Sequence, residues 1–277
     1  MRNQITAGKV LRIQPNQNCF RTKGFTLVEL LVVLAVIGIL AALLLPALSK
    51  AKNRVQTLAC LNNLKQLETS CHLYTSDFND FLPPNQAVKT APAPGATNAL
   101  ISLINANSWC PGIAPLDLTQ NNVQSGLIFP YNKSPFIYHC PADWSTVNGF
   151  SSVLRTRSYS MDISLNCDQA AATYRKFTEI RAQSPANLFV LVDGLEQDIW
   201  DGTFEIFSPD SSWSDYWQDV PADRHNLGAD LSFADGHVEY WKWKAPKVNA
   251  NDLAPAYSPA DLADLQRLQE HTKPDVN

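Results

Sequence analysis

The chain has 277 residues, with 22 Lys and Arg against 26 Asp and Glu and a formal net charge of −4. The charges are segregated: residues 1–24 carry Arg2, Lys9, Arg12, Arg21 and Lys23 and no acid, which leaves residues 25–277 with 17 basic against 26 acidic groups, a net −9. So acidic a body excludes the electrostatic footprint of a nucleic-acid binder, and no nucleic-acid partner is expected.

In chain order, the basic leader comes first. It is followed by a 24-residue apolar run, Phe25 to Leu48, with one charge, Glu29. As a helix rising about 1.5 Å per residue the run reaches about 36 Å, enough for a hydrocarbon core of about 30 Å. A secretory signal peptide has a shorter apolar core and then a small-residue cleavage site. Here no Ala-x-Ala site closes the run, and Lys50, Lys52 and Arg54 follow it. The leader's five cations place residues 1–24 on the cytoplasmic side and the remainder outside. A carboxylate within a span costs about 2.5 kcal/mol or more, so Glu29 reads as functional. The plainer reading is a side chain that snorkels to the interface. Pro46 removes a helical N–H and either kinks the helix or marks the outer end of the span.

Beyond the span, Val55, Leu58, Leu61, Leu64, Leu67 and Cys71 recur every three or four residues between polar neighbours, which predicts that one helix continues from about 26 to 75. Asp77-Phe78-Asn79-Asp80 and Pro83-Pro84 end it. The expected organisation is a leader over 1–24, a transmembrane and stalk helix over 25–76, a linker loop over 77–98 and a head over 99–277. Strands are predicted at Phe136–His139, Arg157–Met161, Leu188–Val192, Ala229–Phe233 and Val238–Trp243. Asp235-Gly236 between the last two is a hairpin signal, because Gly supplies the positive φ of a tight turn. Ser258-Pro259-Ala260-Asp261 reads as a capped helix start, with Leu262, Leu265 and Leu268 as its apolar stripe.

Gly24-Phe25-Thr26-Leu27-Val28-Glu29-Leu30, set between a basic leader and a membrane run, resembles the processing site of type IV prepilins and type II secretion pseudopilins. The resemblance implies cleavage between Gly24 and Phe25 by a prepilin peptidase and N-methylation at Phe25. Glu29 is then the fifth mature residue, and Pro46 matches a helix-kinking proline of the family. The implied fold is α+β, a long N-terminal helix packed on a head with an antiparallel sheet. The implied partners are other pilin-like subunits in a homo- or hetero-oligomeric filament, the peptidase, an inner-membrane assembly platform and the bilayer. The implied location is the bacterial inner membrane, single-pass, with the head periplasmic. Physically, an α-amine freed at Phe25 can neutralise Glu29 of a neighbouring subunit and so set axial register. The stretch Cys60 to Leu67 and the spacing His225, nine residues, Asp235-Gly236-His237 are similar to a pseudopilin-like group of planctomycete and verrucomicrobial genomes.

Chemistry-bearing residues in the head are sparse. His225, Asp235 and His237 are zinc-ligand types, yet two of them flank a tight turn. A structural role is expected, with Asp235 forming the turn and His225 hydrogen-bonded to backbone. Five cysteines follow the leader. Cys110, Cys140 and Cys167 are the disulfide candidates, with one head disulfide involving Cys140. Cys60 and Cys71 lie about 16 Å apart along a helix, too far to join, and read as buried thiols. The resemblance also implies a possible calcium loop, with Asp193, Asp198 and Asp201, or Asp215, Asp219 and Asp223, as candidates. No other metal or cofactor is expected. No nucleophile elbow, phosphate loop or dinucleotide fingerprint is present, so no enzyme is expected. The alternative to a filament subunit is a membrane-anchored surface or periplasmic binding protein, for example glycan-binding, that uses the same anchor.

Overall fold

The computed structural model describes residues 25–86, 107–168, 170, 172–181, 184–248 and 253–274. The expectations for the leader, including Gly24, and for the loop beyond residue 86 lie outside the described residues. The chain divides into two compact units between Leu48 and Ser49.

Helix α1 runs Leu27–Asp77. It is N-capped by Thr26, and it contains Pro46. In the first unit the side chains from Phe25 to Leu48 are all exposed. The segment is long and apolar enough to cross a membrane. So continuous an apolar surface calls for lipid or other helices as its surroundings.

In the second unit the helix is amphipathic. Cys60, Leu64, Leu67, Cys71 and Tyr74, spaced by three and four, form its buried stripe. The predicted stripe is therefore rotated: Val55 and Leu58 are exposed, and Cys60 takes the inward position. Short helices α2 (Asn121–Ser125) and α3 (Phe129–Asn132) follow.

The main sheet has five strands: β3 (Tyr159–Asp162), β4 (Phe189–Asp193), β5 (Thr203–Phe204), β7 (Gly228–Phe233) and β8 (Val238–Lys242), in the order β5-β3-β4-β7-β8. All neighbours are antiparallel except the edge pair β3–β5. Two small ribbons pair β1 (Thr146–Val147) with β2 (Phe150–Leu154), and β6 (Tyr216–Trp217) with β9 (Ala254–Pro255). The α+β class is as expected, and so are four of the five strands. The fifth, expected over Phe136–His139, is a 3-10 turn over Pro135–Tyr138. Pro135 fixes φ and offers no N–H to a ladder, and Pro141 limits the run on its other side.

Two apolar cores flank the sheet. One joins α1 through Leu64, Leu67 and Tyr74 to Trp109, Tyr138 and Met161. The other joins Phe233, Trp241 and Trp243 to Leu265 and Leu268 of α4 (Pro259–Gln269), which is capped by Ser258 as expected. Strand β4 serves both. Phe189 and Val192 belong to the second core, Val190 and Leu191 to the first. Strict alternation would not place them so. A bulge does: between Phe189 and Leu191, β4 advances two residues against one on β7.

Candidate functional site

The first site is the start of α1. Glu29 Oε2 accepts hydrogen bonds from Thr26 N and Thr26 Oγ1, each 2.8 Å, and Glu29 N donates to Thr26 Oγ1 at 3.2 Å. This is a reciprocal capping box, Thr-x-x-Glu, which satisfies amide donors that a helix start leaves orphaned. The carboxylate thus has a local role in capping the helix, and the helix dipole favours a negative charge at this end. Phe25, beside it, is exposed.

The second site lies inside the head. Cys60 of α1, Cys140 of the turn after Tyr138, Asp193 at the end of β4 and His225 before β7 are all buried, and one ligand atom from each lies within 4.8 Å of every other. His225 Nε2 is 3.2 Å from Cys140 Sγ, 3.4 Å from Asp193 Oδ2 and 3.6 Å from Asp230 Oδ2. Cys60 Sγ is 4.0 Å from Asp193 Oδ2 and accepts from Tyr159 Oη at 3.2 Å. On the other side of the ring, Nδ1 is 3.3 Å from Thr57 Oγ1. Arg224 braces the cluster by donating to Asp193 Oδ1 at 2.8 Å and to Gly194 O at 2.7 Å.

Electrostatics follow from this enclosure. Burial pushes the Cys60 thiol up, and its neighbour Cys140 and the Asp193 carboxylate push it further. Burial also raises Cys140, but hydrogen bonds to Cys60 and His225 outweigh that and leave it below its ordinary value. For His225 burial favours the neutral ring, yet Asp193 and Cys140 overcome it and raise the pKa to about 10. Burial pushes Asp230 up to about 7, against the pull of His225.

The expected signature residues separate. His225 is buried; its ring faces the side chains of Thr57 and Cys140, and its amide donates to the Gly228 carbonyl. Asp235 and His237 lie at the hairpin tip, where Asp235 Oδ1 accepts from His237 N at 3.0 Å and Gly236 has φ +90°. Lys65 of α1 donates to the Gly236 carbonyl, so the turn docks on the helix. The expected head disulfide is absent among the described residues: Cys60, Cys71, Cys110, Cys140 and Cys167 are buried and none is in a disulfide. Cys140 faces His225, while Cys110 accepts from the buried Arg157 guanidinium. Asp193 turns into the buried cluster, and Asp201 accepts from Thr203 N at 2.8 Å. Among the described residues, neither aspartate set forms a converging cation site. Sequence reasoning missed Cys60, Arg224 and Asp230. The available signal was a thiol on the inward face of α1 and an Arg-His pair ahead of a strand.

Residues 19–45 match the family described as the prokaryotic N-terminal methylation motif. The chain is 38% identical over 94 residues to the type IV wide pilus major component PilA4 of Thermus thermophilus, covering 32% of this chain and 70% of that one. The chain belongs to the type IV pilin family. It is also 32% identical over 73 residues to type II secretion system core protein G of Pectobacterium carotovorum, covering 26% of this chain and 47% of that protein. It is 28% identical over 123 residues to the core protein G of Escherichia coli, covering 44% and 66%. The chain thus spans about half to two thirds of the length of these core proteins. No solved structure matches. The matched residues 19–45 include most of the exposed apolar segment of this pilin and its capped Glu29.

Proposed function

We propose that this chain is a structural filament subunit of a type II secretion or type IV pilus-like machine. In this reading a prepilin peptidase cuts between Gly24 and Phe25, and Phe25 is then N-methylated. The span holds the subunit in the inner membrane, with the head periplasmic, until an assembly platform adds it to the filament. The supporting observation is Glu29, a carboxylate in an exposed apolar helix of family-typical sequence. Alone, Glu29 is satisfied by Thr26. In a packed bundle it would be a costly lone charge, and the Phe25 amine of an adjoining subunit supplies the counter-charge. A plain anchor, as in a binding protein, uses Glu29 only to cap its helix and needs no counter-charge from a neighbour.

The test is Glu29→Val. The variant is expected to insert in membranes at the wild-type level and to fall to background in the filament fraction recovered by crosslinking. Equal incorporation of mutant and wild type would overturn the mechanism and favour the anchored binding protein.

A further inference from the structure

The buried cluster in the head carries chemistry that filament assembly does not use. We propose that Cys60, Cys140, Asp193 and His225 form a closed structural site for a tetrahedral thiophilic divalent metal ion, with zinc as the ion of matching geometry. Tetrahedral zinc, with bonds of about 2.3 Å to sulfur and about 2.0–2.1 Å to nitrogen or oxygen, sets ligand-to-ligand edges of about 3.3–3.8 Å. Three of the six edges are 3.2 Å from Cys140 Sγ to His225 Nε2, 3.4 Å from His225 Nε2 to Asp193 Oδ2, and 4.0 Å from Cys60 Sγ to Asp193 Oδ2, and all six lie within 4.8 Å. Two thiolates and an imidazole favour zinc over the hard cations calcium and magnesium.

Hydrogen bonds serve the cluster weakly, since besides the two thiols it has one ring N–H to offer. Three acceptors, Cys140 Sγ, Asp193 Oδ2 and Asp230 Oδ2, surround one Nε2, and a single N–H serves one of them. Asp230 is fully buried, and its carboxylate has no stronger neighbours in the cluster than the Cys60 thiol and His225 Nε2 at 3.6 Å. Such a group is costly unless a cation stands near it. A metal ion at the cluster faces all of these groups at once.

The surroundings are those of a metal site. With Nε2 on the ion, Nδ1 carries the ring hydrogen and donates to Thr57 Oγ1 at 3.3 Å, and the Thr57 hydroxyl donates in turn to Asn53 O at 3.0 Å. That chain fixes the histidine tautomer, as orienting partners of metal-bound histidines do. Arg224 holds the other oxygen of Asp193. Two thiolates, the Asp193 carboxylate and the divalent ion sum to a single negative charge, and Arg224, which also faces Asp143 and Glu196, lies against it. Binding displaces to solvent the protons that the two thiols and the imidazole Nε2 carry, and involves no redox step. The four ligands come from α1, a turn, β4 and the segment before β7, so the ion ties the helix to the sheet. All four positions are filled by protein, which marks a structural rather than a catalytic centre.

The test is metal content of the full-length protein purified in detergent without chelators. The expected result is one zinc per chain, released when the thiols are blocked by a mercurial. Exchange with cobalt(II) should give the intense visible bands of a tetrahedral ion and a thiolate-to-cobalt charge-transfer band. Cys60→Ser and Cys140→Ser should each lose zinc and weaken that band, whereas Cys110→Ser keeps both. Thr57→Val, which leaves every ligand in place, should weaken zinc affinity by about 10–100-fold. Wild-type protein with only trace metal and no cobalt bands would overturn the proposal. So would a Cys60–Cys140 disulfide in protein taken from native membranes. The wild-type measurements decide even if a serine variant fails to fold.

Discussion

Glu68 shows how one buried side chain on α1 sets a pH dependence. It lies well beyond the apolar span, in the head, and is 2% exposed. Burial raises its pKa to about 8; the Ser232 hydroxyl, at 2.9 Å, and Lys65 oppose the rise, and Asp235 adds to it. Unfolded, the group titrates near its ordinary value of 4.5. Between those values the folded state holds a proton that the unfolded state has lost, so stability falls as pH rises. The slope is about 1.4 kcal/mol per pH unit for one group. This contribution is complete below pH 4.5 and is lost as pH passes about 8. Glu68→Gln keeps a partner for Ser232 and should flatten that decline. Denaturant midpoints of wild type and variant at pH 5 and pH 8 measure it, and parallel declines would contradict it. At this scale the sequence was partly legible. Glu29 stood out because a charge in an apolar run is conspicuous. The partnership of His225 with Cys60 did not, because 165 positions separate them and only the tertiary fold joins them.

Elements were legible where local chemistry decides them. Helix α1, the Asp235-Gly236 hairpin and the Ser258-capped α4 follow from periodicity, positive φ and capping. Phe136–His139 was misread because its apolar residues fit a strand, while Pro135 before it and Pro141 after it do not. Helix α4 also carries a device that patterning does not announce. Lys247, with a side chain fully buried, donates to Asp261 Oδ1 at 2.9 Å and Asp264 Oδ2 at 2.8 Å, and lies 5.0 Å from the Trp217 and Trp243 ring centres. Lys247→Met strands two buried carboxylates and should destabilise the head by about 3–5 kcal/mol. Denaturant titration reads this, and a loss below about 1 kcal/mol would mean that those carboxylates are not desolvated as a pair.

For the whole molecule, the division at Leu48 separates two kinds of stability. The head has two cores of its own. The segment before it exposes nearly all its apolar side chains and gains stability only from lipid or from other helices. That contrast is what a filament subunit requires: a folded head and a helix whose partners lie in other molecules. The apolar run to Leu48 was readable from composition, whereas the α+β class came from the resemblance carried by the Gly24 to Leu30 motif. The sheet order was not readable, because β4 and β7 pair across a long stretch of chain. The most direct test is intact mass with N-terminal peptide sequencing of the protein from its native membranes. The expected chain begins at Phe25 and carries one added methyl group. A chain that begins at Met1, or one cut after the apolar run, would contradict processing as a filament subunit.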